Sequence, residues 1–122
     1  GSLERARPIT TPEYTLLLEE LDSFRSEMLS FIKDYDIILC PVAPFPALLH
    51  GVTMEDGPYR DFSHCSAYNL TGWPGAVVRA GTSCEGLPIN VLIVARPWRE
   101  DIALAVTSHI EGLFCGWQQP PI

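Results

Sequence analysis

The chain has 122 residues, 47% of them hydrophobic and 19% charged, with a net charge of −7. The length suits one domain, and an acidic balance with only 8 basic groups excludes phosphate-neutralising surfaces for nucleic acid or anionic membranes. The basic residues are seven Arg and a single lysine, Lys33, so lysine chemistry must use Lys33 or a lysine from elsewhere.

Gly1-Ser2 has the look of a cleaved-tag remnant, and residues 1–11 are expected to be leader. Thr10-Thr11-Pro12-Glu13 then supplies a capping hydroxyl, a proline suited to the first helical turn and an acid near the positive end of the helix dipole. Tyr14, Leu17, Leu21, Phe24, Met28 and Phe31 recur at spacings of 3 and 4, which predicts an amphipathic helix over 12–33. Ile37-Ile38-Leu39-Cys40, closed by Pro41, reads as a strand buried on both faces. Pro41, Pro44, Pro46, Gly51, Gly57 and Pro58 make 41–61 a long proline-rich loop, a class of loop that is usually functional or lies against something large.

A short helix is expected over 61–70, stopped by Gly72 and Pro74. Two strands follow at Ala76–Val78 and Ile89–Val94. The Gly81–Gly86 linker makes them an antiparallel hairpin. Glu100 and Asp101 open a last helix with a stripe of Ala103, Val106, Ile110 and Leu113, and Gly116 is its stop. The order α–β–loop–α–β–β–α implies an α/β layered fold. The longest apolar run, Val91-Leu92-Ile93-Val94-Ala95, is far short of a membrane span, which needs about 20 residues. No signal peptide opens the chain, and a cytoplasmic location is expected.

Several residues invite chemical readings. Ser30-Phe31-Ile32-Lys33 has the Ser-x-x-Lys spacing, in which a lysine amine can deprotonate a serine, but the companion motifs of that chemistry are missing. The plainer reading is a solvated polar edge. His64-Cys65 lies near an expected helix start, where a thiol pKa falls, yet adjacent helical residues diverge by about 100° and cannot share a proton. Cys40, Cys65, Cys84 and Cys115 form no CxxC pair and are read as reduced thiols. With His50, His64 and His109 they lack metal-ligand spacing, so no metal and no cofactor is expected. Asn69-Leu70-Thr71 fits a glycosylation sequon, but at a helix end Asn69 is read as a structural hydrogen-bonding residue. Taken alone, these residues assemble no nucleophile, base and oxyanion hole.

The string Tyr68-Asn69-Leu70-Thr71-Gly72-Trp73-Pro74-Gly75-Ala76, followed by Gly86-Leu87-Pro88-Ile89 running into a hydrophobic strand, resembles the amidase signature family. Tyr35–Pro41, Arg96-Pro97-Trp98 before an acidic helix start, and Gly116-Trp117 before prolines extend the likeness over residues 12–121, in order. The resemblance implies the C-terminal portion of a large α/β/α fold, with the hairpin lying in a mixed sheet. It implies hydrolysis of amides, and sometimes esters, by a Ser–cis-Ser–Lys triad with a backbone oxyanion site. Those catalytic residues belong to a part of the family fold upstream of the matched region, so none is assigned here, and Lys33 does not stand in for the family lysine. Where many members continue Gly, apolar, Gln after Gly86-Leu87-Pro88-Ile89, this chain has Asn90, Val91 and Leu92.

The expectation is thus an amidase C-terminal segment over 12–122, inactive alone, that completes the sheet and cleft of a hydrolase acting on a small amide. Phe62, Asn69, Trp73 and Asn90 are its candidate pocket residues. Its expected partner is the remainder of the amidase polypeptide or a second copy, since a fragment of a larger sheet keeps uncovered apolar faces. The alternative is a non-catalytic binding or assembly module derived from the same fold.

Overall fold

The computed structural model describes residues 7–51 and 65–119. Six elements follow in the order α1 (Thr11–Ile32), β1 (Ile37–Pro41), α2 (Ser66–Thr71), β2 (Gly75–Thr82), β3 (Pro88–Ala95) and α3 (Glu100–Leu113). The first residues of the helix expected over 61–70, and His64, lie outside the described residues.

Local signals set the helix ends. The Thr10 hydroxyl accepts from the Glu13 backbone N–H at 3.4 Å, and the Glu13 carboxylate accepts from the Thr10 N–H at 2.7 Å, a reciprocal capping box. These contacts, with Arg7 at 3.2 Å, hold the Glu13 carboxyl below its ordinary range, the bond from the Thr10 N–H contributing most. Gly72 ends α2 in the left-handed conformation at φ 70°, donating its N–H to the Tyr68 carbonyl at 2.8 Å.

The three strands form one sheet in the order β1-β3-β2, antiparallel at both joins. The β2–β3 hairpin is the one the sequence predicts. Its pairing shifts between Arg79 and Gly81, where an extra residue kinks β2. Strand alternation sends the side chains of β3 to two different cores. Leu92 and Val94 face Ile32 and Trp73, with Met28, Cys40, Cys65 and Tyr68 packed around them. Ile93 and Ala95 face Val78 and Ala103, backed by Val106 and Ile110 of α3. The result is three layers, with α1 and α2 on one side of the sheet and α3 on the other. Arg25 fastens α1 to α2 by donating Nε–H to the Leu70 carbonyl at 3.0 Å.

The structure corrects two burial expectations. A continuous apolar run predicts β1 to be covered on both faces, but among the described residues β1 is an edge strand with a single neighbour, and Leu39 is 56% exposed. In α1 the inward stripe is Leu21, Phe24, Met28 and Ile32, whereas Tyr14, Leu17 and Phe31 face outward. The helix passes the sheet only near its C-terminal end, so its first turns have nothing to bury against.

Candidate functional site

β1 ends where Pro41 pairs with Val91, so Pro88, Ile89 and Asn90 extend beyond β1 with no strand partner on that side among the described residues. The chain then leaves the sheet along residues 42–47. Between this proline-rich stretch and the first three residues of β3 lies a cleft of about 320 Å³. Its walls are Val42, Ala43, Pro44, Phe45, Pro46 and Ala47 opposite Pro88, Ile89 and Asn90. Prolines have fixed φ, so these walls keep their shape at little entropic cost. Asn90 brings the only side-chain amide of the lining, with donor and acceptor together. It is half-buried and pairs with Arg79 across the hairpin.

A second cleft, of about 290 Å³, shares Phe45, Pro46 and Ala47 and continues to Leu48, Leu49, Glu85 and Leu87. The Ser83 hydroxyl, the Cys84 thiol and a backbone N–H lower the Glu85 carboxyl pKa, so it is anionic at neutral pH. The two clefts make an apolar trough with an amide at one point and a carboxylate at another.

The four sequence-predicted residues fall in different places. Asn90 lines the first cleft. Trp73 is only 7% exposed and packs in the core with Ile32, Leu92 and Val94. Asn69 is exposed on α2, its backbone N–H donating to the Cys65 carbonyl at 3.0 Å. Phe62 lies outside the described residues. Sequence reasoning missed Phe45 as a wall, although the density of prolines around it marked that loop as functional. It also missed the Cys40–Tyr68 contact, which joins residues far apart in the chain and has no local signature.

Ser30 and Lys33 are both exposed at the end of α1, the solvated edge that the plainer reading gives them. All four cysteines are free thiols. Among the described residues no group of three or more His, Cys, Asp or Glu could hold a metal ion, and no helix is long and apolar enough to cross a membrane.

The profile of the Amidase family matches residues 4–104. The chain belongs to that family. It is 29% identical over 99 residues to human fatty-acid amide hydrolase 2, which covers 81% of this chain and 18% of that protein. It is 34% identical over 101 residues to fatty acid amide hydrolase of Arabidopsis thaliana, covering 77% and 17%. With a glutamyl-tRNA(Gln) amidotransferase subunit of Acidobacterium capsulatum it shares 36% identity over 89 residues, covering 71% and 19%. The chain thus spans under a fifth of the length of these relatives.

The fold is also shared with a solved structure. The substrate complex of 6-aminohexanoate cyclic dimer hydrolase superposes with a TM-score of 0.69 at 24% identity, over 91% of this chain and 26% of that one.

Proposed function

We propose that this chain is the C-terminal part of an amide hydrolase of the amidase signature type. In this reading the Ser–cis-Ser–Lys chemistry comes from residues outside the chain, and the segment supplies one wall of the substrate cleft. The observation that carries it is the family match over residues 4–104, which accounts for less than a fifth of each relative. The site geometry agrees with that division of labour. The trough offers apolar walls and the Asn90 amide, which suit holding an amide substrate. Ser30 and Lys33, solvated at a helix end, offer nothing that would cleave one.

Exposure supports the same reading. Among the described residues eighteen large apolar side chains are exposed, against six large ones and two alanines that are buried. Such a surface is what a larger domain would leave on its last segment. Fatty-acid amides are the substrate class to try first, as the names of two relatives suggest, with short carboxamides beside them for contrast.

The test compares the polypeptide encoded by the whole gene with the 122-residue chain on a panel of such amides. The whole product is expected to hydrolyse at least one, and the short chain none above background. Turnover by the short chain that Ser30→Ala abolishes would overturn the reading and restore a Ser-x-x-Lys nucleophile.

A second reading, a non-catalytic module, draws on the fact that both sheet faces carry a core within this one chain. A gene with no coding sequence before this segment would favour it.

A further inference from the structure

The turn after β3 presents the most solvent-exposed large hydrophobic residue among the described residues: Trp98 is 89% exposed. Its backbone is also in the left-handed region, at φ 64°, where a bulky L-residue is strained. Nothing among the described residues offsets that strain, because they leave almost all of the side chain uncovered.

The turn is nonetheless framed by hydrogen bonds. The Arg99 N–H donates to the Arg96 carbonyl at 3.1 Å, closing the turn around Pro97 and Trp98. Arg96 donates Nε–H to the Tyr35 carbonyl at 2.8 Å and reaches Asp36 at 3.1 Å. Arg99 grips both oxygens of Asp101 at 2.9 and 3.0 Å. Because Ile37 pairs with Ala95, the turn before β1 and the turn after β3 lie at the same end of the sheet. That end also exposes Phe31 and Tyr35, whose ring centroids lie 5.9 Å apart with the planes tilted by 32°. An aromatic anchor held in place before contact, beside further exposed aromatics, has the anatomy of a binding hot spot.

We propose that Trp98 is the anchor by which this segment docks on the rest of its amidase polypeptide. The inference rests on the reading that the chain is the C-terminal part of a longer hydrolase. The occupant follows from the lengths involved. The matched relatives carry more than four-fifths of their chain outside this segment. Docking on that remainder would cover the indole and offset the strained turn.

The test places Trp98→Gly in both the 122-residue chain and the polypeptide encoded by the whole gene. Fluorotryptophan labelling reads the solvent exposure of each indole, and the resonance missing from the variant is that of Trp98. In the short chain Trp98 is expected to be solvent-exposed, and glycine, which adopts positive φ freely, to raise the thermal midpoint by about 4 °C. In the whole product Trp98 is expected to be shielded from solvent, and the same substitution to lower the midpoint by about 2 °C or more. This reversal of sign is what a merely structural turn residue would not produce.

A whole product in which Trp98 stays exposed, or in which glycine stabilises as it does in the short chain, overturns the anchor and leaves the hydrolase reading intact. Shielding that grows with the concentration of the short chain would assign the face to a second copy, and so overturns the proposal. A gene with nothing before this segment overturns the anchor and the reading together.

Discussion

The Cys40 thiol donates to the Tyr68 hydroxyl across 3.8 Å, joining edge strand β1 to helix α2 beneath Trp73 and Leu92. Burial, with smaller contributions from the Cys40 bond and the nearby Cys40 and Cys65 thiols, pushes the Tyr68 hydroxyl up to about 12 from an ordinary 10.0. The folded pKa is thus the higher one, and the unfolded chain loses this proton first. The stability contributed by neutral Tyr68 is complete below pH 10, and it falls as pH rises from about 10 to about 12. Urea midpoints measured between pH 9 and 12 should decline over that window, and Tyr68→Phe should flatten the decline. A slope unchanged by Tyr68→Phe would place the titration on another group.

Trp73 is the largest side chain in the core between the sheet and α1. Trp73→Ala removes its contacts with Ile32, Leu92 and Val94, and is expected to cost about 3–5 kcal/mol. Small domains are stable by only about 5–15 kcal/mol, so the variant should be largely unfolded at 37 °C by circular dichroism. Trp73→Phe, which keeps an apolar ring, should retain a cooperative transition at a lower midpoint.

Two glycines should respond to alanine with opposite signs. Gly72 has open space around the position of an added methyl, so the penalty of Gly72→Ala comes from its φ of 70° alone and should be about 1–2 kcal/mol. Gly112 also has open space but ordinary helical geometry, and there alanine should stabilise α3 by roughly 0.5–1 kcal/mol. Thermal melts of both variants check the pair. A Gly72→Ala variant as stable as the parent would mean that the Gly72 cap contributes nothing.

The helices and the hairpin were legible because their information is local. Thr10 and Glu13 cap α1 within one turn, Gly72 closes α2, and the link from Gly81 to Gly86 returns the chain into β3. What the sequence misjudged depends on neighbours. Ile37–Cys40 reads as a fully buried strand, but β1 has one partner among the described residues and leaves Leu39 outside. The outward-facing Tyr14, Leu17 and Phe31 tell the same story for α1. Their apolar character belongs to surfaces that this segment does not itself cover. The candidate site was legible in part for a related reason. Trp73 lies within the family-like string and Asn90 stands where the chain departs from the family pattern, and only the end of β1–β3 pairing at Val91 decides that Asn90, the next residue out, opens onto a cleft while Trp73 packs in the core.

That position makes Asn90 the residue on which to test the cleft. Among the lining side chains it alone can offer both an N–H and a carbonyl oxygen to the amide of a substrate. A single neutral hydrogen bond is worth about 1 kcal/mol, so Asn90→Leu, which keeps the volume and removes both groups, should lower kcat/KM of the whole hydrolase about five- to tenfold. If the bond positions the substrate equally in the ground and transition states, the change falls on KM with kcat untouched. If it tightens only as the amide carbon becomes tetrahedral, kcat falls instead. Phe45→Ala, which opens the apolar wall without touching the amide, should weaken substrates with long acyl chains more than short carboxamides. Wild-type kcat/KM in both variants, with thermal midpoints unchanged, would remove the cleft from the substrate path.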